Sequence, residues 1–423
     1  MSSSDDISTL LRRLDDFGAI TRQSVEGLQL STIQGMPPDQ QDLWTESTTT
    51  WPHIFEADEC WKKKAPTSEE LIYETLDLIT ARKAAEKRKK VDDYQVYIAL
   101  YSQGLVDSDL DPRKAIAQLH EPDKSNPVGL IGYRLPKFIS DTQPGLVTPA
   151  ALSRFVEPFN EDNRQVLCTP KFWTTDLHID NYDGLSTIIG SCEKLWIMFP
   201  PTRKNLHLMQ VADGQRSKLA RIGKDLEGGV VLAVDSSQAL YIPAGCLHAV
   251  FTLHGGFLIT MEFTTSISVK VLSSLLNAQF DRFKDHWLQS ELPGQFIESV
   301  ELALTQNQVQ AGVDAWIHTQ SRLKLWFDKE QDSSASSRNQ HWVDRRSGWE
   351  KKVREVWDTF FRSQDLDTIR FCPCGEMGHN ARDRVMSFKE HFYSKHLVVD
   401  RKEVTADLLE ANRSKTKKRK TMM

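Results

Sequence analysis

Apolar and polar positions change rhythm several times along this chain. Early on, Leu71, Ile72, Leu76 and Ile79 recur at helical spacing behind Thr67-Ser68-Glu69-Glu70. Thr67 fits an N-cap there and Glu70 its capping-box partner. Residues 31–50, with Pro37-Pro38 and a Ser/Thr run, read as linker. From residue 128 the texture becomes short apolar runs punctuated by Gly and Pro. The runs 185–190, 194–199, 229–234, 239–242, 249–253 and 257–263 each suit a strand. Gly255-Gly256 reads as a hairpin turn between the last two, and residues 202–228 as a polar insertion. Further on, Val271, Leu272, Leu275, Leu276, Phe280 and Phe283 form a helical stripe. After a Ser-rich linker, Trp349, Val353, Val356 and Phe360 mark one more amphipathic helix.

These rhythms divide the chain. A mostly helical region with linkers covers 1–127, a strand-rich domain 128–270 and a helical region 271–330. A linker follows at 331–345, then a helix with a Cys/His-bearing segment at 346–400 and a basic tail at 401–423. The expected class is α+β: a mainly β core of sandwich or jelly-roll type flanked by helices. No internal repeat is visible.

Composition narrows the function classes. At roughly 150 residues per domain, 423 residues suggest two to three domains. Lys plus Arg total 53 against 58 for Asp plus Glu, so the net charge of −5 excludes a uniformly basic nucleic-acid coat. The start, Met1 to Asp6, lacks the basic and apolar regions of a secretory signal, and no apolar run approaches a membrane span, so no membrane partner is expected. Six cysteines, of which only Cys372 and Cys374 are close together, suit a reducing cytosolic or nuclear compartment.

The strand-rich region carries the chemistry. In His178-Ile179-Asp180 an imidazole and a carboxylate lie two residues apart, and in an extended segment both project to one side. Such a pair alone occurs by chance. His248, after the apolar strand and turn Tyr241-Ile-Pro-Ala-Gly-Cys-Leu-His248, is the natural third donor. Two histidines and one carboxylate make the facial triad of non-haem Fe(II) oxygenases, which leaves three metal positions open.

The neighbouring residues extend the match. The sequence resembles the Jumonji-C (JmjC) family of Fe(II)- and 2-oxoglutarate-dependent oxygenases. The resemblance rests on Thr175-Asp-Leu-His178-Ile-Asp180, Glu193-Lys194-Leu-Trp-Ile-Met-Phe-Pro-Pro201, Tyr241 to His248, and Gly255-Gly256-Phe257-Leu258, in that order, over roughly residues 128–265. It implies a double-stranded β-helix (jelly-roll or cupin-like) whose open end holds iron on His178, Asp180 and His248. It also implies that Thr175 and Lys194 hold the distal carboxylate of 2-oxoglutarate. A buried cation is what an anionic cosubstrate inside a barrel needs. Thr175 lies at an odd offset from His178, so strand parity does not bring it to the same face, and only the resemblance does.

The reaction implied consumes dioxygen and 2-oxoglutarate, releases succinate and hydroxylates a C–H bond of a protein substrate. An N-methyl carbon then leaves as formaldehyde, which is demethylation, whereas a side-chain carbon keeps its hydroxyl. The expectation is demethylation of methyl-lysine on histones in chromatin regulation. A protein hydroxylase and a non-catalytic chromatin scaffold are the alternatives. Tyr182 and Tyr241 are candidates for an aromatic methylammonium cage, or for packing within the barrel.

The C-terminal part adds two signals. Cys372, Cys374, His391 and His396 resemble a zinc-finger ligand set, since four residues between the histidines is a usual spacing. One residue between the cysteines and sixteen from Cys374 to His391 depart from it, and His379 competes as a ligand. The last eleven residues, Arg413 to Met423, hold six Lys/Arg and no acid. Lys417 to Lys420 reads as a nuclear-localisation signal or a weak nucleic-acid contact, or else as a solubilising tail. The expected address is nuclear.

Overall fold

Strands buried on both faces need no polar alternation, and this is why the middle of the chain reads as unbroken apolar runs. The computed structural model describes residues 6–48, 50–85, 95–100, 103–107, 109–135, 145–152, 164–280, 286–306, 308–328, 339–363, 372–374 and 384–399. They belong to two units, Met1–Gln295 and Phe296–Met423.

The first unit holds thirteen described strands: β1 (Leu30–Ser31), β2 (His53–Glu56), β3 (Gln95–Leu100), β4 (Gln103–Val106), β5 (Val128–Tyr133), β6 (Arg164–Thr169), β7 (Thr174–Ile179), β8 (Asp183–Ile189), β9 (Glu193–Phe199), β10 (Gly229–Val234), β11 (Gln238–Ile242), β12 (Leu247–His254) and β13 (Gly256–Phe263). Two sheets result, one in the order β1-β10-β9-β12-β7 and the other in the order β2-β11-β8-β13-β6-β5-β3-β4. All pairings are antiparallel except the short parallel pair of β1 with β10. From β10 onward, successive strands alternate between sheets.

The inner faces share one core. Trp196, Met198, Val230, Leu232 and Val250 of the five-stranded sheet pack with Ile188, Leu240, Ile242 and Leu258 of the eight-stranded sheet. The other face of the eight-stranded sheet, with Leu185, Ile189, Phe257 and Ile259, is covered by Leu71 and Ile79 of the helix Ser68–Ala85. The capping box that opens this helix forms as the sequence predicts. The Thr67 backbone N–H donates to Glu70 Oε2 at 2.7 Å, and the Glu70 N–H donates to Thr67 Oγ1 at 3.2 Å.

Two local expectations are corrected and a third gains detail. The linker read at 31–50 contains the helix Pro38–Thr48. Pro38 suits a first helical turn, and Trp44, fully buried, donates its indole N–H to the Gly228 carbonyl at 2.9 Å. The polar insertion at 202–228 holds the helices Arg203–Val211 and Lys218–Ile222. Gly255-Gly256 does not close a hairpin. It carries the chain from β12 in one sheet to β13 in the other. Glycine is required by close approach: a Cβ on Gly256 would lie 2.5 Å from the Cys192 Cβ.

The second unit is helical. Its described helices include Val309–Asp328, Asn339–Ser363 and Arg384–Lys395. Trp357 sits at its centre, with the ring of Phe392 4.0 Å away and that of Trp316 5.2 Å away. Val353, Val356 and Phe360 of the predicted amphipathic helix are buried. The expected linker 331–345 lies outside the described residues as far as residue 338, after which the helix Asn339–Ser363 begins. Phe283, His379 and the basic tail also lie outside them. Among the described residues no helix is long and apolar enough to cross a membrane.

Candidate metal centre

Sheet order decides which donors meet. β7 and β12 are neighbours, and His248 stands directly opposite His178. Their ring centroids are 4.0 Å apart. Asp180 follows the end of β7. Its Oδ1 is 3.9 Å from His178 Nε2 and its Oδ2 is 3.5 Å from His248 Nε2. One ligand atom from each of the three residues falls within 4.8 Å of the others.

Backbone contacts fix this arrangement. The Gly245 N–H donates to the Asp180 carbonyl at 2.7 Å, tying the turn before His248 to the end of the HxD segment. Gly245 has φ +77°, and a Cβ there would meet Val271 Cγ2 at 2.4 Å. Each imidazole places Nδ1 on a main-chain carbonyl, His178 on Asp176 at 2.9 Å and His248 on Cys246 at 3.1 Å. With Nδ1 as the donor, each Nε2 presents a lone pair to the shared point. Burial pushes His248 down to about 4, with His178 adding to the shift and Asp180 opposing it, so the ring is neutral at pH 7. His248 is 2% exposed, whereas His178 and Asp180 are partly exposed. The triad is therefore backed by protein on one side and open on the other.

A β-bulge settles the position of Thr175. Opposite β12, His248 pairs with His178 and Val250 with Thr175, so a step of two on β12 matches a step of three on β7. The extra residue changes parity, and Thr175 stands on the same face as His178. Asp176 points the other way and caps the helix Lys218–Ile222, accepting from the Lys218 N–H at 2.7 Å and the Leu219 N–H at 3.2 Å.

Lys194 continues the inner face. It pairs with Thr252, just as Trp196 pairs with Val250 and Met198 with His248. Lys194 is 3% exposed, and its ammonium donates to Thr169 Oγ1 at 2.6 Å and Thr252 Oγ1 at 2.9 Å. Burial holds its pKa below the ordinary lysine range. Among the described residues no carboxylate lies within ion-pair distance of it.

Tyr241 is fully buried, and its hydroxyl donates to Asp183 Oδ1 at 2.6 Å. This corrects the cage reading for Tyr241: it anchors a carboxylate in the core. Tyr182, directly after the HxD segment, is half-buried. Sequence reading missed Asp183, which also accepts from the Ala244 N–H at 3.1 Å, from Thr265 Oγ1 at 2.9 Å and from the Ser268 hydroxyl. Burial raises its pKa, opposed by these hydrogen bonds. The available signal was an acid opening an otherwise apolar strand. Trp196, 5.6 Å from the His248 ring, was also missed; among the described residues its buried indole N–H has no hydrogen-bond partner, and neither has the buried amide Nδ2 of Asn181.

A second donor cluster lies in the other unit. Cys372, Cys374, His391 and His396 bring one ligand atom each within 4.8 Å of the others.

No protein-family model matches the chain. Two curated yeast proteins, each called "JmjC domain-containing histone demethylation protein 1", are similar to part of it. The protein from Saccharomyces cerevisiae is 28% identical over 130 residues, which is 28% of this chain and 26% of that protein. The protein from Kluyveromyces lactis is 32% identical over 104 residues, 22% of each chain. The matches thus span about a quarter of these relatives' length, and they support a JmjC relationship for that part of the chain.

Proposed function

We propose that the first unit is a JmjC-type Fe(II)- and 2-oxoglutarate-dependent dioxygenase that demethylates methyl-lysine, with histones as its protein substrate. The observation that carries this reading is the convergence of His178, Asp180 and His248 on one half-open point. The alternation of strands between two facing sheets supports a double-stranded β-helix around it. The names of the two yeast relatives support the substrate class and, with it, a nuclear address.

The residues present fit both groups. Two imidazoles and a carboxylate suit ferrous iron. Lys194, a buried cation that among the described residues donates to two threonine hydroxyls, suits the distal carboxylate of a keto acid. When bound, iron and 2-oxoglutarate supply dioxygen activation and the hydroxylation of a C–H bond. The protein's own work is positional. Asp183 holds the segment at Ala244 that leads to His248, next to the segment that carries Asp180. Thr175 and Lys194 line the face behind the triad, and Trp196 packs beside His248 and shields it from water. Tyr182 is the remaining aromatic candidate for contact with the methylammonium.

The test is succinate release by the full chain with Fe(II) and 2-oxoglutarate, set against His178→Ala. Turnover should be lost in the variant. In parallel, methyl-lysine histone peptides should lose about 14 mass units per methyl, whereas a hydroxylase would add about 16. Equal succinate from both chains removes the site assignment, and a gain of oxygen replaces demethylation with hydroxylation.

A further inference from the structure

We propose that Cys372, Cys374, His391 and His396 bind one zinc ion in a closed, structural site that holds the C-terminal segment folded. The distances carry the argument. Cys372 Sγ lies 3.3 Å from His396 Nε2, Cys374 Sγ lies 3.1 Å from His391 Nε2, and the two Nε2 atoms are 3.0 Å apart. Bond lengths of about 2.3 Å to sulfur and 2.0–2.1 Å to nitrogen place tetrahedral ligands about 3.4–3.8 Å apart. The four donors are therefore already near the corners of such a tetrahedron. Neither cysteine is in a disulfide.

The donor set selects the metal. Two thiolates and two imidazoles in a tetrahedron suit zinc and leave no position for a substrate, unlike the three-donor centre of the first unit. Cys372 and His396 are buried, at 2% and 3% exposure, so the site is set into the unit rather than displayed on it.

The surroundings are those of a structural site. His396 Nδ1 faces Gln320 Oε1 at 2.8 Å, which fixes that nitrogen as the donor and turns Nε2 to the metal. The His396 carbonyl accepts the indole N–H of Trp316 at 2.9 Å. Phe392, one residue past His391, packs on Trp357 and lies 5.8 Å from the His396 ring. One ion would thus join two separate pieces of chain, the turn at 372–374 and the helix Arg384–Lys395 with its final turn, and His396 in turn bonds to the helix Val309–Asp328. His396 follows the end of its helix, its N–H still bonded to the Phe392 carbonyl at 2.8 Å, so it reaches the ion from the last turn.

The experiment uses the full chain and four proteins: wild type, His178→Ala, the double variant Cys372→Ser/Cys374→Ser, and Gln320→Ala. Zinc is counted by elemental analysis and its affinity measured by competition with a chromophoric chelator. One zinc per chain is expected in the wild type and in His178→Ala, and none in the double variant. Gln320→Ala keeps all four ligands, so it should bind zinc roughly 10–100-fold more weakly while remaining folded. Chelation should lower the melting temperature of the wild type. Cobalt loaded in place of zinc should show the tetrahedral ligand-field and thiolate charge-transfer bands. A wild type without zinc, zinc content lost with His178→Ala instead, or an octahedral cobalt spectrum overturns the proposal. Each of these readouts is independent of turnover at the first centre.

Discussion

A lysine ammonium taken out of water costs several kcal/mol unless a partner compensates, and Lys194 meets only two threonine hydroxyls among the described residues. A purely structural lysine in this place would be hard to account for, whereas one that waits for an anion is not. Lys194→Met should therefore leave the chain folded, with an unchanged or higher melting temperature. Its KM for 2-oxoglutarate should rise about tenfold or more, a loss of about 1.4 kcal/mol. Unfolding on substitution, or an unchanged KM, removes Lys194 from the cosubstrate site. Asp183 is the opposite case, a buried carboxylate with four donors converging on it. Asp183→Ala leaves those donors unsatisfied, at roughly 1–3 kcal/mol for each that cannot find another partner. Tyr241→Phe removes one hydrogen bond, worth roughly 0.5–1.5 kcal/mol. Denaturant melts of the two variants should separate in that order, and equal melts would show that Asp183 is not the centre of the network.

At the level of elements, the bulge in β7 and the crossing at Gly255-Gly256 do most to shape the site. Without the bulge, Thr175 would face away from the triad. The crossing sends β13 to the eight-stranded sheet, while β12 stays beside β7 and keeps His248 opposite His178. Gly256→Ala should cost about 1–3 kcal/mol in overpacking, because the added methyl meets the Cys192 Cβ at 2.5 Å. A melt indistinguishable from wild type would mean that β13 can shift to make room. Six of the thirteen described strands, β8 to β13, were legible as apolar runs to within two residues. The hairpin reading failed because a glycine pair marks a close approach or a turn without saying which sheet the chain enters next.

For the whole molecule, the second unit carries a buried acid that ties its stability to pH. In the second unit burial pushes Glu298 up to about 7, with Lys352 opposing the shift and Glu301 adding to it. The folded state then binds a proton that the unfolded chain, with an ordinary glutamate, has already released. This group's contribution to stability is complete below about pH 4.5 and is lost as pH rises through about 7. Melting of the helical unit should be favoured at pH 7.5 relative to pH 5.5, and Glu298→Gln should flatten that dependence. An identical pH profile in the variant would assign the effect to another group.

The identity and order of the donors were set by the sequence alone: an HxD pair, a later histidine after a strand and turn, a lysine in an apolar run, and a Cys/His set near the end. These are local patterns, and local patterns follow from backbone periodicity and side-chain chemistry. Tertiary structure decided what met what. Whether His248 faced His178, whether Thr175 turned inward and whether Tyr241 stood in a cage or in the core depended on register and sheet order, and which Cys and His donors came together depended on how the helices of the second unit pack. Register and sheet order are fixed by contacts between residues far apart in the chain, and no single stretch of sequence contains them.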